Sequence, residues 1–110
     1  MKYFVFASER HGSCYYEFYK GKWDEKTFWK SDSIYLHDDA MYNLNIDKIL
    51  LSVLPNYDPF GETEVMYQQW KDILKQAQII GGDTYAAILE ADQWVASTFT
   101  EYNVFTILGL

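Results

Sequence analysis

The sequence predicts an α+β fold: a mostly antiparallel sheet, made of an N-terminal meander plus a C-terminal strand, packed on one face by two amphipathic helices. Three observations carry this expectation. The first third of the chain is a series of short aromatic and β-branched runs separated by turn residues. Two longer segments nearer the C-terminus place apolar residues at helical spacing. The closing residues return to a β-forming run that needs a strand partner. Strands followed by helices segregate into two layers around one core. One domain spanning residues 1–110 is expected, and an apolar content of 49% is enough to fill such a core.

Residues 2–7 (KYFVFA) are too short for a globular helix and predict the first strand. Residues 13–20 (SCYYEFYK) predict a second, and the polar link from Ser8 to Gly12 suits a hairpin loop. Gly21 marks a turn, and Thr27–Trp29 predicts a third strand. Ser31-Asp32-Ser33 is turn chemistry, because these side chains bond nearby backbone groups. Ile34-Tyr35-Leu36 suits a fourth short strand, and Asp38-Asp39 the start of a helical turn. Ile46, Ile49, Leu50, Val53 and Leu54 lie at helical spacing and predict a short helix, with a buried strand as the rival; Pro55 ends it.

Asn56 to Gly61 is a dense turn signal. Thr63 is placed to cap the first long helix, with Glu62 and Glu64 beside its positive end. Met66, Trp70, Ile73, Leu74, Ala77 and Ile80 then share one face. Gly81-Gly82 stops this helix, one glycine suiting a left-handed C-cap. Asp83 or Thr84 can cap the second long helix, which runs to about Tyr102 with a stripe of Ala87, Ala91, Trp94, Val95, Thr98, Phe99 and Tyr102. Residues 104–108 (VFTIL) are expected to enter the sheet beside the first strand.

Charge is divided unevenly along the chain. Residues 1–30 carry six basic against four acidic side chains, leaving two positive charges, whereas residues 31–110 carry three lysines against twelve acids, leaving nine negative. The total is −7, and no basic side chain follows Lys75. Such a field repels phosphate and attracts cationic surfaces, so nucleic acid is not an expected partner. Aromatic residues make up 19% of the chain, more than the centre of so small a core needs, and Tyr and Trp at a surface favour protein contacts. No apolar stretch reaches membrane-spanning length, and Met1 to Arg10 lacks a secretory h-region, so a cytoplasmic protein without a membrane partner is expected.

Chemistry-bearing groups are sparse. Cys14, the single cysteine, excludes a disulfide within one chain and a multi-cysteine metal site, and its aromatic neighbours suggest a small buried hydrophobe. Cys14 with His11 or His37 has the residue types of a thiol catalyst without any strand–turn–helix nucleophile motif. His37, Asp38 and Asp39, with Asp32 nearby, are the best metal candidates, but their spacing fits a solvated loop better. Gly81-Gly82 lacks the spacing and lysine of a phosphate loop. No cofactor is therefore expected. On the second long helix Asp83, Glu90 and Glu101 share one edge, with Trp94 beside them. Its outward arc (Tyr85, Leu89, Gln93, Ala96, Ser97, Thr100) carries no charge, which predicts either burial under another segment or a docking surface.

Residues 58–65 (DPFGETEV), leading into a Trp-bearing helix, and residues 105–110 (FTILGL) resemble the small immunity proteins encoded beside bacterial polymorphic toxins. The resemblance implies a small acidic α+β domain that neutralises a cognate toxin domain, often a nuclease, by covering its active site. It carries no binding residue onto a numbered position here. The charge division leads separately to the same kind of partner: a basic protein, met by Asp83, Glu90, Trp94 and Glu101, then Asp38, Asp39 and Asp58, with carboxylates standing in for phosphates. On this reading the chain is a non-enzymatic binding module and, at −7, a monomer. The alternatives are a small metal-binding protein or enzyme using His37 and Asp39, and a homodimeric structural or regulatory subunit joined through the uncharged helix face.

Overall fold

The computed structural model describes residues 1–110. Five strands, β1 (Phe4–Phe6), β2 (Tyr15–Lys20), β3 (Ile34–His37), β4 (Glu62–Met66) and β5 (Val104–Leu108), form one sheet. The order is β1-β3-β2-β5-β4, and every neighbouring pair is antiparallel. Four helices complete the α+β architecture: α1 (Asp38–Asn43), α2 (Ile46–Val53), α3 (Tyr67–Ile80) and α4 (Gly82–Phe99). The short helices replace the ambiguity of residues 38–54 in favour of helix.

All four helices contribute to one core against one sheet face. Phe4, Tyr16, Phe18, Ile34, Leu36, Val65, Phe105 and Ile107 point into it from the strands, and Ile49, Trp70, Ile73, Ala87, Ala91 and Val95 from the helices. Phe105 is the hub. Its ring lies 5.3 Å from Phe18, 5.6 Å from Trp70, 5.8 Å from Trp94 and 6.0 Å from Phe99, centroid to centroid. Each such pair adds about 1 kcal/mol to the burial of its rings. Across the helix layer Trp70 Nε1 donates to Asp92 Oδ1 at 2.8 Å, tying α3 to α4 while satisfying the indole. Gly81 joins these helices with φ of 73° and ψ of −161°, a backbone that only glycine adopts without strain.

The opposite sheet face is not bare. Tyr15, Glu17, Tyr19, Tyr35, Thr106 and Leu108 are all buried there, with the His11 amide donating to the Tyr15 hydroxyl at one end and the segment that joins β2 to β3 lying over Glu17 and Tyr35. Glu17, 2% exposed, organises this cover. Its carboxylate accepts from Trp29 N–H (2.8 Å), Lys30 N–H (3.1 Å) and the Ser33 hydroxyl (2.7 Å). The Tyr35 hydroxyl, 3.3 Å from the same carboxylate, sends its proton to the Lys30 carbonyl. Burial, then the adjacent Glu17 charge, pushes the Tyr35 phenol well above its ordinary range. The guanidinium of half-buried Arg10 stands over this cover, its carbon 3.9 Å from the Trp29 ring centre.

Several sequence expectations are corrected. No strand forms at Thr27–Trp29. Asp24 instead accepts from the Lys26 and Thr27 amides and the Thr27 hydroxyl, and Trp29 turns to φ of 58°, so local side-chain bonds displace the ladder. β1 and β2 are not a hairpin, because β3 lies between them. The C-terminal strand pairs with β2 and β4 rather than β1, inside the sheet next to its β4 edge. Residues 62–66 are a strand whose Thr63 and Val65 face inward, so Thr63 is not a helix cap; its hydroxyl accepts from Asp58 N–H at 3.0 Å. Met66 and Ile80, assigned to the buried helix face, are 55% and 53% exposed. Helix α4 stops at Phe99, short of Tyr102. The C-terminal tail is fastened beside β4 by Gly109 N–H to the Gly61 carbonyl (2.7 Å) and Leu110 N–H to the Pro59 carbonyl (2.9 Å). A side chain at Gly109 would collide with the Pro59 carbonyl, which explains glycine there.

Two outcomes follow for the cover. Replacing Glu17 by Ala orphans three donors at once. Unfolding experiments should register a loss of about 3 kcal/mol, with hydrogen exchange accelerating first in residues 22–33. A variant with wild-type stability and unchanged exchange would remove Glu17 as the organiser. The Asp24 carboxyl is held down to about 2 from an ordinary 3.8, first by the Thr27 hydroxyl, then by the Thr27 and Lys26 amides. A depressed acid contributes above its unfolded-state value, so this turn keeps its full contribution above about pH 4 and loses it as pH falls through about 2. NMR titration should place the Asp24 midpoint near 2, and Thr27→Ala should move it toward 3.8; a wild-type midpoint at 3.8 contradicts the turn.

Candidate functional site

The acidic residues divide into those that fasten the fold and those left facing solvent. Glu90 belongs to the first group. Its two oxygens accept from the backbone amides of Lys2 (2.8 Å), Tyr3 (2.9 Å) and Phe4 (2.7 Å), so one carboxylate on α4 receives the start of β1. Asp83, one end of α4 earlier, accepts the Tyr3 hydroxyl at 2.6 Å, and this bond raises the phenol's pKa. Trp94 turns inward as part of the aromatic core, packed edge-on against Phe18 and Phe105, and its Nε1 donates to the Asp32 carbonyl at 2.9 Å. The structure therefore places three of the four α4 candidates in intramolecular contacts. Glu101 lies exposed beyond the helix end.

Asp38, Asp39 and Asp58 come from the middle of the chain. Asp38 opens α1 and accepts the Tyr16 hydroxyl at 3.1 Å. Asp58 accepts Phe60 N–H at 2.9 Å and shapes the turn before β4. Asp38 and Asp58, together with Asp47, lie close enough to Tyr57 for their charges to add to burial and to Tyr42 in raising its phenol well above the ordinary value. Asp39 is the freest, its side chain 82% exposed.

His37 caps α1. Its Nδ1 accepts from Asp39 N–H at 3.0 Å and lies 3.7 Å from Asp39 Oδ2. No three His, Cys, Asp or Glu side chains converge closely enough to hold a metal ion. Cys14 is exposed, contrary to the expectation of burial, because it sits just before β2, outside the doubly covered part of that strand.

The cations do not neutralise this surface. No Lys or Arg approaches a carboxylate within 4.0 Å; the single contact of that kind is His37–Asp39. Several cations lie over aromatic rings instead: Lys2 over Tyr3, Arg10 over Trp29, Lys30 over Tyr19 and Lys71 over Tyr67. The uncharged arc of α4 is open to solvent, with Leu89 44% exposed and Gln93, Ala96, Ser97 and Thr100 also exposed, so neither the C-terminal strand nor the middle segment covers it. No helix is long and apolar enough to cross a membrane.

Glu62 and Glu64, expected beside the start of a helix, are instead exposed residues of strand β4. They project on the face away from the helices, between Phe60 (77% exposed) and Met66 (55% exposed). The alternation E-T-E-V-M was the available signal. A scan against protein-family models, a search of curated proteins and a search of solved structures each gave no match.

The role of Glu90 is directly measurable. Glu90→Ala should lower stability by about 2 kcal/mol, since three backbone donors lose a charged acceptor. Amide exchange should quicken in residues 2–6 before it does in β5. Unchanged exchange at Tyr3 and Phe4 would show that this carboxylate does not anchor the first strand.

Proposed function

We propose that this protein is a non-enzymatic binding module that captures a cation-rich protein, in the manner of the small acidic immunity proteins it resembles. The partner is most simply a basic toxin domain such as a nuclease, whose phosphate-binding surface the carboxylates cover. One observation carries this reading: sixteen acidic side chains, and no Lys or Arg within ion-pairing distance of any of them. Surface carboxylates without local counter-charges keep their field available to an external cation. Exposed aromatic side chains, Phe28 at 54%, Phe60 at 77% and Tyr67 at 55%, supply the apolar anchors that slow dissociation once charges have steered the encounter. A monomer fits this reading, because a net charge of −7 opposes self-association.

The experiment is affinity capture from the native host, followed by kinetics on the captured partner over a range of salt. The partner should be basic, and association should slow about tenfold between low and physiological salt while dissociation changes little. An acidic partner, or association indifferent to ionic strength, overturns the reading.

A further inference from the structure

The two edges of the sheet are finished differently. At β1 the outward amides of Phe4 and Phe6 are already taken, by Glu90 at 2.7 Å and Glu9 at 2.9 Å. That edge has no free donors for another chain. At β4 the pattern of bonds follows from its neighbour. Gly109 N–H donates to the Gly61 carbonyl, and directly opposed residues of an antiparallel pair alternate between bonded and non-bonded. With the register Thr63↔Ile107 and Val65↔Phe105, bonding to β5 falls on residues 61, 63 and 65, so the amides and carbonyls of Glu62, Glu64 and Met66 point out of the sheet. The Met66 amide is taken by Gln69 Oε1 at 2.9 Å, but no side chain caps those of Glu62 and Glu64.

Two outward donors two residues apart, each with its carbonyl, are the unit that an added antiparallel strand reads. The side chains beside them specify what kind of strand fits. Glu62 and Glu64 stand on the same face with no cation near either. A groove of about 360 Å³ runs along this edge past Asn56, Glu64, Met66 and Gln69. A second copy of β4 would set carboxylates against carboxylates, which is destabilising across a strand pair. Lysine or arginine at alternate positions of an incoming strand would meet both glutamates.

We propose that the open edge of β4 binds an extended cationic segment of the partner protein by strand addition, with Glu62 and Glu64 pairing its alternate basic side chains. The inference rests on the cation-binding function proposed above and assigns that function a place and a geometry. It also accounts for the asymmetry of the edges: one is sealed by side-chain acceptors, and the other carries charge but keeps its backbone groups free.

The test is NMR-detected hydrogen exchange on the labelled full chain at low salt. The probe is a synthetic peptide alternating Lys with Val and Thr, with a Glu-for-Lys counterpart as control. Saturating Lys peptide should slow exchange at the Glu62 and Glu64 amides about tenfold, and the Glu peptide should have no effect. Glu64→Pro removes an outward N–H without touching a bond to β5, and should abolish the effect. Glu64→Thr keeps the N–H and drops one charge, and should weaken binding while preserving its footprint. Should the proline variant fail to fold, Glu62→Lys with Glu64→Lys replaces it and should reverse the preference between the two peptides. Lys-peptide binding at another acidic surface, or a footprint on β4 that survives Glu64→Pro, overturns strand addition and leaves the cation-binding function standing. No binding of the Lys peptide anywhere overturns both. Protection of these amides that grows with protein concentration in the absence of peptide makes a second copy the occupant and overturns the charge-matched one.

Discussion

The seating of Val104–Leu108 between β2 and β4 is the constraint on which the remaining structure depends. These residues join the strand formed early in the chain to the one formed midway. They also deliver Phe105 to the point where Phe18, Trp70, Trp94 and Phe99 meet. Without that strand β4 would have no partner in the sheet, and the helices would lose the ring they pack around. It also defines the free edge, because β5 binds one side of β4 and leaves the other side outermost.

Carboxylates serve as internal fasteners to an unusual extent here. Glu17 holds the cover over the second sheet face, Glu90 receives the first strand, Asp24 closes a turn, and Asp92 anchors the Trp70 indole. In each case an acid accepts from neutral donors instead of pairing with a cation. Charge-assisted bonds of this kind are stronger than neutral ones, and they leave the basic side chains to rest on aromatic rings. The excess of acid over base therefore has two origins: one set of carboxylates consumed by the fold, and another, including Asp39, Glu62, Glu64 and Glu101, turned to solvent.

The helix edge of Asp83, Glu90 and Trp94 is largely occupied by intramolecular partners, whereas Glu62 and Glu64 on β4 face solvent. There two outward backbone amides and two exposed glutamates share one sheet edge. An acidic surface alone would attract many cationic proteins; an open strand edge of fixed register restricts which of them can dock.

The sequence by itself determined the layers, the two long helices and their separation at Gly81, and the strand character of residues 4–6, 15–20, 34–37 and 104–108. All of these are local matters of periodicity, propensity and glycine geometry. It also fixed the sign of the surface charge. Tertiary structure alone decided the strand order, the loss of a strand at residues 27–29, and the conversion of residues 62–66 from helix start to edge strand. Those outcomes depend on contacts between residues far apart in the chain: Glu17 drawing in Trp29 and Lys30, and Phe105 placing Val65 beside it. The same holds for the candidate site. Which carboxylates are spent and which remain free was illegible in the sequence, because a glutamate that caps a distant strand and one that faces water have the same formal charge.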